Sequence, residues 1–196
     1  TTRLVGSEMC IRDRLATVSQ TAIAFFGIYF KLQSFIYMPA NGLIQGMRPL
    51  ISYNYGARHF DRVKKIIKVS IISTAVILCC GTIIFMGLPE LVLSWFNATE
   101  QLLEIGIIGL RVISPCFILS TMGVVISGVF ESLGKGRQSL TISLLRQFII
   151  TLPLAYILLK VIGLNGIWLS FVIAEGIASV IAVILIKKEL HNFKVD

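Results

Sequence analysis

The chain has 196 residues, of which 56% are hydrophobic and only 14% charged, and its mean hydropathy is +0.86. Soluble domains carry about 25% charged residues and interrupt their apolar runs to present a wet face, so this composition excludes an ordinary soluble domain. The 18 Lys and Arg exceed the 10 Asp and Glu, giving a formal charge of +8, which in a membrane chain sets orientation and does not call for a nucleic acid partner.

Residues 1–14 contain Arg3, Glu8, Arg12, Asp13 and Arg14, have no signal-peptide core, and read as an expression or sequence-assembly scar. The chain opens on threonine and enters a hydrophobic segment almost at once, so the N-terminal part of a longer protein is expected to be missing. Residues 15–190 form the helical bundle. A bilayer core of about 30 Å needs about 20 apolar residues of helix. Five windows of that kind are expected: Thr17 to Tyr53, Val63 to Leu88, Thr99 to Phe130, Ser139 to Val161 and Asn165 to Ile186. Their limits follow Asn54-Tyr55-Gly56-Ala57, the stretch from Pro89 to Asn97, Gly134-Lys135-Gly136 and Gly163 to Gly166, where glycine and asparagine permit turns. The fold class is therefore all-α integral membrane, with residues 191–196 as a tail.

Charge decides the orientation. Arg58, Arg62, Lys64, Lys65, Lys68, Lys135, Arg137, Lys187, Lys188 and Lys194 all fall on one side, whereas the opposite connections hold Lys160 with Glu90, Glu100 and Glu104. The basic side is expected to be cytoplasmic, which places the C-terminus inside and the start of the first span outside.

The first window, roughly 37 residues long, exceeds what a crossing requires. At about 100° per residue, Lys31, Ser34, Tyr37, Asn41, Gln45, Arg48 and Ser52 fall within an arc of about 120°. Each central charge facing lipid would cost about 2.5–3.5 kcal/mol on insertion scales, so the stripe is expected to face protein or a water-filled path. It lines a translocation pathway or forms interhelical hydrogen bonds that hold a bundle together. Pro39 and Pro49 remove backbone donors in the same helix, and a kink is expected near Pro39. Gly42 and Gly46 form a small-xxx-small pair where another helix can approach.

Four further charges need partners: Arg111, Glu131, Arg146 and Glu175. Arg146 lies about 10 Å in from Ser139 and Glu175 about 18 Å from Lys187, a gap that side chains can close. Alternatively Arg146 pairs with Glu131, leaving Glu175 as an isolated carboxylate able to titrate. Cys10, Cys79, Cys80 and Cys116 have no ligand or disulfide spacing, the two histidines His59 and His191 fall in loops, and no catalytic motif is present. No enzyme activity, metal or cofactor is expected.

Gly27-Ile-Tyr-Phe-Lys-Leu-Gln-Ser-Phe-Ile-Tyr-Met-Pro39, with Gly42-Leu-Ile-Gln-Gly46 and Pro49-Leu-Ile-Ser-Tyr-Asn-Tyr-Gly-Ala57, resembles the eighth helix of bacterial multidrug and toxic compound extrusion (MATE) transporters. Ser132-Leu-Gly-Lys-Gly136, Leu145-Arg-Gln147, Leu152-Pro153-Leu154 and Gly163-Leu-Asn-Gly-Ile-Trp168 are similar to later parts of the family pattern. The resemblance implies helices 8–12 of a twelve-helix transporter, the second of two six-helix lobes without its first helix. It also implies a monomer in the membrane of a bacterial cell, bound by lipid and by its N-terminal lobe. Such a protein exports bulky, often cationic drug-like compounds in exchange for sodium ions or protons.

Under that resemblance the cavity residues are Lys31, Gln33, Tyr37, Asn41, Gln45, Arg48, Arg146 and Gln147, and the hinge positions are Pro39, Gly42, Gly46 and Pro49. The chain departs from the family in its tenth helix, whose membrane interior has no acid, only Glu100 and Glu104 near the end. The coupling carboxylate is then upstream or is Glu175. A flippase of lipid-linked sugars from the same superfamily, using the cations Lys31, Arg48 and Arg146, is the rival reading. A non-transporting membrane subunit is the other.

Overall fold

Three of the breaks in this backbone fall beside prolines, Pro89, Pro115 and Pro153. A computed structural model describes residues 2–96 and 99–192. It describes their side chains from residue 21 onward, apart from those at 22, 23, 147, 148, 164, 165, 167, 191 and 192. The side chains of the segment 1–14 therefore lie outside the described residues. Among the described residues all regular structure is helical: α1 (Thr2–Gly56), α2 (Phe60–Gly87), α3 (Pro89–Ser94), α4 (Glu100–Ile113), α5 (Pro115–Ser132), α6 (Gly136–Leu144), a π-helical turn (Leu145–Ile149), α7 (Thr151–Ile162) and α8 (Leu164–Asn192).

The window expected from Thr99 to Phe130 divides at Ser114 into α4 and α5. Pro115 has no N–H to offer the Arg111 carbonyl and takes the first position of α5, where a missing donor is tolerated. The Ser114 carbonyl is held by the Thr82 hydroxyl at 3.1 Å and the Phe117 amide at 3.1 Å. The window from Ser139 to Val161 divides in a different way. Pro153 cannot bond to the Ile149 carbonyl and its ring crowds that group, and the chain ahead of it widens by one residue into the π turn. The Ile150 amide reaches back five residues to the Leu145 carbonyl at 3.0 Å, and the Thr151 hydroxyl donates to the Arg146 carbonyl. By contrast α1 is uninterrupted at Pro39, where the kink is expected, and at Pro49.

Three of the described helices are long and apolar enough to cross a bilayer: Phe60–Gly87, Pro115–Ser132 and Trp168–Leu190, the last within α8. α7 is apolar but shorter. α5 lies at the centre, packed against α8, α2, α1 and α6. Its far half joins a cluster of Phe25, Tyr29, Leu110, Phe117 and Trp168, in which the Trp168 indole meets the Phe25 ring edge-on at 5.0 Å. Its basic half joins Ile44, Met47, Val63, Val129 and Phe130. Ser120, Glu175 and Ser179, all buried, fall along the helices between the two clusters, and Tyr37 belongs to the first.

Close helix approach within this chain falls at Gly128 and Gly109. A Cβ on Gly128 would stand 2.6 Å from Ile44 Cγ2, and one on Gly109 would stand 2.6 Å from Phe25 Cε1. These absent methyls let α1 lie against α5 and α4. A Cβ on Gly42 or Gly46 would meet nothing within 4 Å, so the small-xxx-small pair makes no close helix contact within this chain. Gly128→Val is expected to force α1 off α5 at about 1–3 kcal/mol of overpacking and to lower the thermal unfolding midpoint of the detergent-solubilised protein. Gly42→Ala, with open space around it, should leave that midpoint unchanged or raised.

Candidate functional site

The polar stripe of α1 splits into two sets when the helix packs. Tyr37 shares a 2.5 Å hydrogen bond with the Ser120 hydroxyl, Arg48 Nη2 lies 2.5 Å from Glu131 Oε2, and the Ser52 hydroxyl donates to the Ser132 carbonyl at 2.7 Å. All three partners are on α5, so this set holds α1 to the central helix. The Ser34 hydroxyl turns back to its own helix and donates to the Phe30 carbonyl at 2.8 Å. Lys31, Asn41 and Gln45 remain exposed, and among the described residues Lys31 makes no ion pair.

The π turn positions the second polar element. It carries Arg146, whose Nε lies 3.2 Å from Glu175 Oε1 on α8; the side chains are 21% and 10% exposed. Of the two pairings open to Arg146, the structure makes this one, and Glu131 goes to Arg48. Glu131 also accepts from the Ser139 hydroxyl at 2.9 Å, and Ser139 shares a 2.6 Å hydrogen bond with Ser127. A third pair, Lys135 with Glu189 at 2.5 Å, ties the α5–α6 connection to the basic end of α8. Glu189 was not singled out in the sequence because it follows Lys187 and Lys188 directly and reads as part of a wet terminus.

Two cavities flank the Arg146 guanidinium. One, of about 150 Å³, is lined by Asn41, Arg48, Ser127, Glu131, Ser143 and Arg146. The other, an open cleft of about 400 Å³, is lined by Phe30, Gln33, Arg146, Thr151, Phe171 and Glu175. The first gathers four of its polar groups into hydrogen bonds and ion pairs, whereas the second sets two aromatic rings beside a carboxylate. Glu175 Oε2 is buried and makes no hydrogen bond among the described residues, so one acceptor of that carboxylate is left over. Phe30 and Phe171 went unmarked in the sequence because an aromatic residue in an apolar run carries no signal of its own. The Gln147 side chain lies outside the described residues. Among them no three His, Cys, Asp or Glu come together as a metal site would require.

A helical bundle of this hydropathy, with ion pairs between its helices and a cleft opening among them, defines an integral membrane protein whose few buried charges are paired. The chain belongs to the MatE family, whose family model matches residues 9–157. It is 31% identical over 183 residues to the multidrug export protein MepA of Staphylococcus haemolyticus, covering 93% of this chain and 40% of that protein. It is 30% identical over 182 residues to the MepA of Staphylococcus aureus strain MW2, again covering 93% and 40%. The chain thus spans about 40% of the length of these relatives. Its fold matches an outward-facing multidrug resistance MATE family transporter of the MOP superfamily with a TM-score of 0.85 at 20% identity, over 92% of this chain and 42% of the other. It also matches the MATE multidrug transporter DinF-BH, solved in complex with R6G, with a TM-score of 0.79 at 29% identity, over 87% and 38%.

Arg146→Leu alone is expected to strand the Glu175 carboxylate, at about 3 kcal/mol, the lower end for breaking a buried pair because Arg146 keeps some exposure. Adding Glu175→Leu to it should recover most of that loss. Thermal unfolding of the two single variants and the double variant checks it: a double-variant loss equal to the sum of the two single losses would rule out the coupling.

Proposed function

We propose that the chain is the C-terminal lobe of a cation-coupled multidrug efflux transporter, exporting organic, often cationic compounds in exchange for sodium ions or protons. The observation that carries this reading is the cleft in which Phe30 and Phe171 stand beside Glu175 and Gln33. Aromatic faces and a carboxylate attract a flat organic cation by cation–π and Coulomb forces, both strengthened where water is scarce. The relatives' description as multidrug export proteins supports it, as does the R6G complex of DinF-BH.

In this proposal Lys31, Gln33, Tyr37, Asn41, Gln45, Arg48, Arg146 and Gln147 line the pathway, with Tyr37 and Arg48 acting chiefly by holding α1 in place. Pro39, Gly42, Gly46 and Pro49 supply bending freedom on an exposed face of α1. The open face at Gly42 then meets the other lobe of the longer protein. Glu175, or an acid in that other lobe, takes the coupling ion. The protein sits in the bacterial plasma membrane as a monomer, with the basic side and the C-terminus in the cytoplasm. The rival flippase reading needs a cationic cavity for pyrophosphate. Two of its three cations are neutralised, Arg48 by Glu131 and Arg146 by Glu175, and this disfavours it.

The test is ethidium efflux from cells expressing the full-length protein, with sodium and pH gradients imposed separately. Efflux is expected to collapse with one gradient, which identifies the ion; no efflux under either, from protein present in the membrane, rejects the antiporter. Asn41→Leu and Gln45→Leu are each expected to lower efflux several-fold at unchanged membrane level. Wild-type efflux in both would remove those residues from the pathway.

A further inference from the structure

An open groove of about 660 Å³ lies outside the polar interior, between the basic-end halves of α1 and α2. Its two walls are helical stripes. α1 contributes Leu43, Met47 and Leu50, at spacings of four and three, with Gly46 leaving an open notch among them. α2 contributes Arg62, Lys65, Val69 and Ser73, again at spacings of three and four. The polarity is graded along the groove: both cations lie at the end next to the α1–α2 connection, and the walls beyond them are mainly apolar.

Length and charge together say what fits. From Arg62 to Ser73 is eleven residues of helix, about 16 Å at 1.5 Å per residue, close to one leaflet of a hydrocarbon core of about 30 Å. The groove therefore starts at the membrane surface and ends near the midplane. Asp61 is the one acid between residues 50 and 89, and its partner is Lys64 at 3.4 Å. Among the described residues Arg62 and Lys65 make no ion pair, and Arg58 and Lys68 lie close by in sequence. A guanidinium and an ammonium at the mouth match a phosphate diester, and the surrounding excess of positive charge favours a headgroup with net negative charge over a zwitterion.

We infer that this groove is a binding site for one anionic phospholipid of the basic-side leaflet, with its phosphate on Arg62 and Lys65 and an acyl chain along Leu50, Met47 and Val69 down to Ser73. The inference rests on α1 and α2 crossing the membrane. It does not rest on the transport reading, and an efflux failure would leave it standing.

The experiment is native mass spectrometry of the full-length protein released from detergent with phosphatidylglycerol or phosphatidylcholine added at equal concentration. The wild type is expected to retain one phosphatidylglycerol at least tenfold better than phosphatidylcholine, and Arg62→Gln/Lys65→Gln to bring the two to parity. Both residues are exposed, so that variant should fold. A photo-crosslinking amino acid in place of Val69, in vesicles containing phosphatidylglycerol, is expected to capture lipid. Equal retention of the two lipids by the wild type overturns the site, as does unchanged preference in the double variant. Capture of another segment of the protein from position 69 overturns it too, by showing that a helix fills the groove.

Discussion

In hydrocarbon a polar side chain finds its partner within the protein or carries the cost of isolation, and the polar layer of this bundle follows from that constraint. The helices supply Arg48, Glu131, Arg146 and Glu175, and the packing turns four charges into two pairs. Each pair joins different elements: α1 to α5, and the π turn to α8. Serine hydroxyls complete the arrangement, Ser120 on Tyr37, Ser139 on Glu131 and Ser179 on the Leu119 carbonyl. Large hydrophobic side chains pack around these groups in two clusters, one of which flanks Arg48 and Glu131 directly. Position along the helix thus matters: Arg146–Glu175 lies deep in the bundle, whereas Arg48–Glu131 and Lys135–Glu189 tie its basic end together.

The two sides of Arg146 show how such a layer combines stability with an open site. Toward Asn41 and Glu131 it borders a small cavity whose charges are matched within the chain. Toward Phe171 and Glu175 it borders a larger cleft with apolar walls and one acceptor unused. The same guanidinium neutralises the acid and limits its reach, so a cation entering the cleft competes with Arg146 for Glu175.

Much of this was legible in the sequence, because it depended on periodicity and composition. The stripe on α1 could be read from spacing alone, and the depth of Arg146 and Glu175 made their pairing one of two options. What spacing could not supply was the partner: it places Arg48 on a face of α1 without saying that Glu131 stands opposite. The divided third window was hidden because Pro115 sits inside an unbroken apolar run, where hydropathy registers no change. Within this chain the close approaches fall at Gly128 and Gly109, which spacing did not single out, since a small residue only permits contact and the neighbouring helix decides where it occurs.

The π turn at Leu145–Ile149 gives α6 and α7 separate helical phases. It holds one residue more than an α-helical turn of the same height, so the faces of α7 are rotated by roughly 100° from where a continuous α-helix would put them. Arg146 takes its direction from the α6 side of that offset, while Leu152 and Tyr156 take theirs from the far side. A change of chain length at this point would therefore appear as rotation more than as translation. Losing one residue would leave the helix with the same span and turn one half of it against the other, moving the cation relative to α8 while the membrane thickness it crosses stays the same.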